Sequence, residues 1–267
     1  MANVGKNGCA MFCGIVLLIA AVYAHMHTDK YRFLSGAYKS LYVPGKLAVK
    51  IFRTATPLLI NEILWSLGMT FITNFYSSRG LNAVAALNIN GTAFNLFCVI
   101  MFAMGSAVSI MVGQRLGAGE MEEARDVDRK LIFLTEVIHI IIGILLALVS
   151  PFIPRLYNVG PEVRDLTRRM LMIAGLSLPI HSFAHVAYFT IRSGGRTVIT
   201  FFFDALYTWA VSVLLAFCLT RFTDWPIIHI YFCVMSVDIL KVVIGLLMIR
   251  SGFWVRNVVN DTGTKQS

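Results

Sequence analysis

Five ionisable side chains interrupt otherwise uncharged apolar stretches: Glu62 in residues 54–78, Glu136 in 131–154, Asp204 in 197–220, and Asp238 with Lys241 in the last stretch. An ionised group deep in a bilayer costs several kcal/mol on insertion scales unless it is paired or hydrated, so each one asks for a partner or a function. Glu62 is the sharpest case. It lies nine residues beyond Arg53, which is about 13.5 Å along a helix and near the middle of a roughly 30 Å hydrocarbon core. No basic residue shares its stretch. A proton, a sodium ion or a cationic compound would relieve the same penalty and compete for that carboxylate. Asn61, with Thr56 or Ser66 nearby, adds oxygen atoms, a donor set suited to a hard cation rather than a thiol-seeking one. The plainer alternative is an interhelical hydrogen bond from a protonated Glu62.

Asp238 and Lys241 stand at i and i+3, a spacing that permits an ion pair on one helix face; direct contact with a substrate is the other reading. Asp204 and Glu136 lie a turn or two inside their stretches, as packing or snorkelling acids or as transport residues. His181 and His185 share a face at i and i+4, but no HExxH accompanies them, so polar packing or a cavity-lining role is expected rather than a zinc hydrolase. The turn Arg192-Ser193-Gly194-Gly195-Arg196 lacks the Walker pattern and excludes ATP coupling through that motif. No enzymatic activity, cofactor or metal centre is expected. The cysteines, Cys9, Cys13, Cys98, Cys218 and Cys233, are odd in number and form no CxxC pair, so they read as small apolar packing residues.

The elements that hold these groups must be membrane helices. The 267 residues are 57% hydrophobic and 14% charged, with a mean hydropathy of +0.73, outside the range of soluble domains. Charges fall in bands between long apolar runs, which predicts an all-α integral membrane protein of about seven spans. The formal charge of +9 then reflects the positive-inside rule and anionic lipid, and needs no nucleic acid. Gly and Asn at 80, 82, 88, 90 and 91 predict a loop before the span that follows, placing that helix within residues 83–112. Basic residues in alternate connections number 15 against 7, a bias that places the C-terminus in the cytoplasm and the N-terminus outside. Retention of residues 1–25 as a helix is favoured over cleavage as a signal peptide, because cleavage would invert that bias.

Residues 112–120, Val-Gly-Gln-Arg-Leu-Gly-Ala-Gly-Glu, followed by Glu123-Ala124-Arg125 and Lys130, resemble a signature of the multidrug and toxic compound extrusion (MATE) transporters. Further stretches agree in order: Thr56-Pro57-Leu58-Leu59-Ile60-Asn61-Glu62 with Trp65, Asn82-Ala83-Val84-Ala85-Ala86-Leu87-Asn88-Ile89, residues 191–197, and Trp254-Val255-Arg256-Asn257. The resemblance implies one six-helix lobe, the second of two, plus one preceding helix. Residues 1–25 would then be the preceding transmembrane helix, 26–53 a cytoplasmic inter-lobe connection, 54–250 the C-terminal lobe, and 251–267 a cytoplasmic tail. The five earlier helices of the family, with the acid its N-lobe often uses for proton coupling, have no counterpart here.

The 114–130 connection itself reads as a solvated, mixed-charge loop helix, or as a gate that changes partners. Gly113 and Gly117 form a small-xxx-small pair suited to helix packing. Aromatic and Met stripes such as Met101, Phe102 and Met104 supply membrane packing or adaptable apolar walls for varied ligands. The expected function is cation-coupled efflux of amphipathic, often cationic, small molecules by alternating access in a cell membrane. Candidate ion or substrate residues are Glu62, Asn61, Asp204, Asp238, Lys241 and His181, with sodium and proton coupling both open. A lipid-linked or polysaccharide precursor flippase and a non-transporting truncated product are the alternatives. Besides the bilayer and substrate, the expected partner is an N-terminal lobe or a second half-chain.

Overall fold

The computed structural model describes residues 44–256 together with Leu18, Ile19, Val22 and Tyr23. Contacts divide the chain into residues 1–52 and 53–267. In the first unit Leu18, Ile19, Val22 and Tyr23 are helical; the remainder of the expected first span and residues 26–43 lie outside the described residues. The second unit carries the bundle, and its described residues are helical with short turns and no strand.

Among the described residues six helices are long and apolar enough to cross a membrane. They are α1 (Gly45–Ser77), α2 (Leu81–Ala118), α3 (Met121–Val149), α4 (Pro161–Ser193), α5 (Thr197–Phe222) and α6 (Ile227–Arg250). Helices satisfy every backbone donor and acceptor within the segment, which the bilayer interior demands. The start of α1 at Gly45 makes the last residues of the expected 26–53 connection helical and continuous with the first span of the lobe.

Two sequence expectations about connections are corrected. α2 begins at Leu81, so Asn82, Asn88, Asn90 and Gly91 are helical, and Asn90 is buried with its amide donating to the Tyr231 hydroxyl at 3.0 Å. Asn reads as a loop former because its side chain competes with the backbone in water; inside a bundle that same side chain bridges helices. The 114–130 connection shrinks to Gly119 and Glu120, since α2 ends at Ala118 and α3 starts at Met121. Gly119 makes the turn at φ 85°, and its N–H and that of Glu120 reach back to the Leu116 and Arg115 carbonyls. An L side chain at that φ is strained, so glycine is the residue that allows so abrupt a stop.

α4 is the central helix, packed most extensively against α2 and α3 and also against α6. Its crossing with α3 is set by two glycines. A Cβ on Gly175 would stand 2.6 Å from the Gly143 carbonyl oxygen, and one on Gly143 would overlap the Gly175 carbonyl. Pro179 has no N–H, so the Gly175 carbonyl lacks its usual amide four residues on, and it is this carbonyl that Gly143 faces. Close backbone approach of small residues is how helices associate where lipid removes the hydrophobic drive. Gly113 and Gly117 do not serve this purpose: nothing lies within 4 Å of a Cβ placed at either.

α3 shows how the bundle inverts the pattern of a soluble helix. Its buried face carries Asp128, Thr135, His139, Gly143 and Leu146, whereas Ile140, Ile141, Ile144, Leu145 and Leu148 are exposed. The apolar stripe faces lipid, and the small and polar residues face protein. Among the residues of α1 whose burial is described, Asn61, Gly68, Ile72 and Tyr76 are buried against the bundle, and the others are exposed or half-buried, which leaves an open face.

Candidate functional site

One polar network links α1, α4, α5 and α6. On α1, Glu62 and Asn61 are adjacent, with Glu62 exposed and Asn61 buried. The Tyr188 hydroxyl of α4 donates to Glu62 Oε1 at 3.2 Å and accepts from Asn61 Nδ2 at 3.3 Å. Asn61 Nδ2 also donates to Asp204 Oδ2 at 3.1 Å. The other carboxylate oxygen of Asp204 accepts from Lys241 Nζ at 2.6 Å, the side chains being 14% and 11% exposed. A cationic end of the network is thus joined to an exposed carboxylate through a carboxylate, an amide and a phenol.

The sequence builds this arrangement through a defect in α5. Residues Phe202–Leu206 and Thr208–Val213 wind as π-helix, a wider turn common at functional positions. Within the first of these turns Ala205 donates its N–H to Asn61 Oδ1 at 3.2 Å, so Asn61 uses its amide oxygen on one residue of the turn and its amide nitrogen on Asp204. Farther along, Trp209 Nε1 donates to the Leu64 carbonyl at 2.8 Å, and Gly68 lets the helices approach, because a Cβ there would stand 3.0 Å from Thr208 Cγ2. The ammonium of Lys241 lies 5.4 Å from the Phe203 ring centroid and 5.7 Å from that of Tyr207, aromatic faces that favour a cation.

Asp238 does not pair with Lys241, although the spacing allows it. Asp238 Oδ2 lies 3.0 Å from His181 Nδ1, and His181 Nε2 contacts the Met235 sulfur at 3.1 Å. The cause is the break in α6 at Val237, where Tyr207 of α5 donates its hydroxyl to the Val237 carbonyl at 2.7 Å. Asp238 opens the second helical segment toward α4, and Lys241, nearly a turn later, reaches α5.

The acids of α3 meet hydroxyls of α4. Ser182 donates to Glu136 at 2.9 Å, and Thr190 donates to buried Asp128 at 2.6 Å. Asp128 was hidden among the mixed charges of the expected loop; its place in the Asp128, Thr135, His139 stripe is the signal that identifies it. Tyr188 was missed as well. It continues the His181, His185 spacing by three residues, with Arg192 next, and the Arg192 guanidinium lies 6.0 Å from the Tyr188 ring centroid. His185 packs edge-on against Phe102 at 5.3 Å. Among the described residues no three His, Cys, Asp or Glu side chains converge as metal ligands, so a hard cation at Glu62 would draw its further oxygens from amide, hydroxyl or water.

Six apolar spans, a polar network joining four of them and the ordered motifs agree with one comparison: the family model described as MatE matches residues 57–220. The chain belongs to the MatE family. A probable multidrug resistance protein, YoeA, of Bacillus subtilis (strain 168) is 27% identical over 214 residues, 80% of this chain and 46% of its own length. The crystal structure of the Vibrio cholerae MATE transporter VcmN in the bent form aligns with a TM-score of 0.74 at 18% identity, over 90% of this chain and 53% of VcmN. MATE family transporters in outward-facing and inward-facing conformations align with TM-scores of 0.70 and 0.66, each 16% identical, over 80% and 79% of this chain and 48% and 50% of theirs. The chain spans about half the length of the relatives it matches.

Proposed function

We propose that the chain forms the C-terminal lobe of a cation-coupled multidrug antiporter, in which Glu62 exchanges between a coupling cation and a cationic substrate as the cavity alternates its access. The observation that carries this reading is the path from exposed Glu62 through Tyr188 and Asn61 to the half-buried Asp204–Lys241 pair. Neutralising Glu62 changes the demand on the Tyr188 hydroxyl, and that hydroxyl is shared with Asn61. A cation arriving at one end is therefore coupled to the packing of α5 and α6 at the other.

The outward- and inward-facing relatives support alternating access, and the match of this chain to only 48% and 50% of them supports a second lobe opposite the open face of α1. Residues 54–250 would be this lobe and residues 26–53 its inter-lobe connection. The C-terminus and the tail after residue 250 are assigned to the cytoplasm, in a cell membrane, on the distribution of basic residues. Sodium and proton both fit an exposed carboxylate flanked by oxygen donors.

Glu62→Gln tests the reading in a complete transporter, with an N-terminal lobe supplied. It should insert and accumulate normally while ion-dependent substrate exchange falls. Unchanged transport and unchanged ion dependence at equal expression would remove Glu62 from the mechanism. The chain expressed without a second lobe should confer no drug resistance.

A further inference from the structure

A cavity of about 560 Å³ lies where α3 begins and α6 ends, away from the Glu62 network. Its polar wall holds Arg125, Asp128, Arg129 and Arg250, and its apolar wall includes Ile132 and Leu246. The nearby acids are already engaged. Glu120 and Glu123 pair with Arg115, Glu122 with Arg125 at 3.0 Å, Asp126 with Lys130 at 2.6 Å, and Asp128 accepts from Thr190 at 2.6 Å. Arg129 and Arg250 form no ion pair among the described residues. Two guanidinium groups without an ion-pair partner therefore face one cavity, which also holds the single carboxylate of Asp128.

The wall is built rather than incidental. Trp254 is 2% exposed, its Nε1 donates to the Ile249 carbonyl at 3.2 Å, and its own carbonyl packs against Gly194 so closely that no Cβ would fit there. Those contacts fix the turn after α6 against the end of α4. On the other side Leu246, which lines the cavity, is also exposed on the outer face of α6, as is its neighbour Leu247. A basic mouth joined to an apolar wall at a helix end suits a ligand with an anionic phosphate and a hydrocarbon chain. Guanidinium groups match phosphate oxygens with planar donors, and they favour an anionic headgroup over a zwitterionic one because the latter brings a choline cation beside two positive charges. A free phosphate would leave the apolar wall unused.

We infer that this cavity binds the headgroup of an anionic membrane phospholipid, with Arg129 and Arg250 holding the phosphate and Ile132 and Leu246 contacting the start of the acyl chains. The inference is independent of the transport reading. Its test is native mass spectrometry of the purified full chain in neutral detergent, titrated with phosphatidylglycerol, with phosphatidylcholine of the same acyl chains, and with inorganic phosphate. The wild-type chain should retain phosphatidylglycerol in preference to phosphatidylcholine. Arg129→Gln with Arg250→Gln should weaken phosphatidylglycerol binding by roughly 30-fold, the effect of two charges near the surface. Arg164→Gln with Arg168→Gln, an equal loss of charge at the start of α4, should leave binding unchanged. Equal retention of the two lipids by the wild-type chain would overturn the inference without any variant. An equal loss in both double variants would reduce it to net charge, and full displacement by inorganic phosphate would reassign the cavity to a free anion.

Discussion

Lys241 of α6 places its Nζ 2.6 Å from Oδ1 of Asp204 on α5, leaving Asp238, its neighbour at i−3, to His181. Asp204 is thereby held from two sides, by an ammonium and by the Asn61 amide. The charge on either residue is tolerable in the membrane because the other is present.

Removing one partner should therefore cost more than removing both. Lys241→Met and Asp204→Asn are each expected to lower stability by about 3 kcal/mol, the scale for an orphaned buried charge. The double variant should recover most of that loss. Thermal unfolding of the purified chain in detergent measures the cycle, and additive single losses would show that the pair is not coupled.

Tyr188→Phe should separate stability from transport. Losing a single hydroxyl that serves Glu62 and Asn61 should cost about 1 kcal/mol in unfolding. In a complete transporter, exchange should fall toward the level of Glu62→Gln. Full exchange with Tyr188→Phe would mean that Glu62 acts without the network.

Gly143→Leu is expected to disrupt the α3–α4 crossing, by about 3 kcal/mol or more, because the opposing Gly175 carbonyl is backbone and cannot move aside. Gly113→Ala should be neutral or slightly stabilising, since that position is open and helical. Melting temperatures in detergent distinguish the two, and comparable losses would place the helix contact elsewhere.

Orientation is tested by cysteine labelling in a cysteine-free background. Ser78→Cys and Glu120→Cys suit the purpose because both positions are exposed and avoid the positive φ of neighbouring Gly80 and Gly119. Impermeant reagent on intact cells should modify the cysteine at position 78 and spare that at 120. The reverse pattern would invert the topology.

The spans were legible because hydropathy and charge banding follow directly from the solvent, and Glu62, Asn61, Asp204 and Lys241 were legible as polar residues at depth. Their partners were not. Asn61 meets Tyr188 and Asp204 across 127 and 143 residues, and no local spacing encodes such pairing. The i, i+3 relation of Asp238 and Lys241 suggested an ion pair, but the break at Val237 turns the two toward different helices. Asp128 escaped notice because eight other charged side chains accompany it from Arg115 to Lys130 in the sequence, and only the early start of α3 places it inside the bundle.

The turn at Gly119 and Glu120 bears on biogenesis. With two residues between helices of 38 and 29 residues, α2 and α3 have no slack to enter the bilayer at separate times. So short a turn predicts that they insert as one hairpin, its charged tip staying on the cytoplasmic side if the distribution of basic residues sets the topology. In that order of events α4 would meet two faces already held together, and the Gly143–Gly175 crossing would close on a preassembled pair.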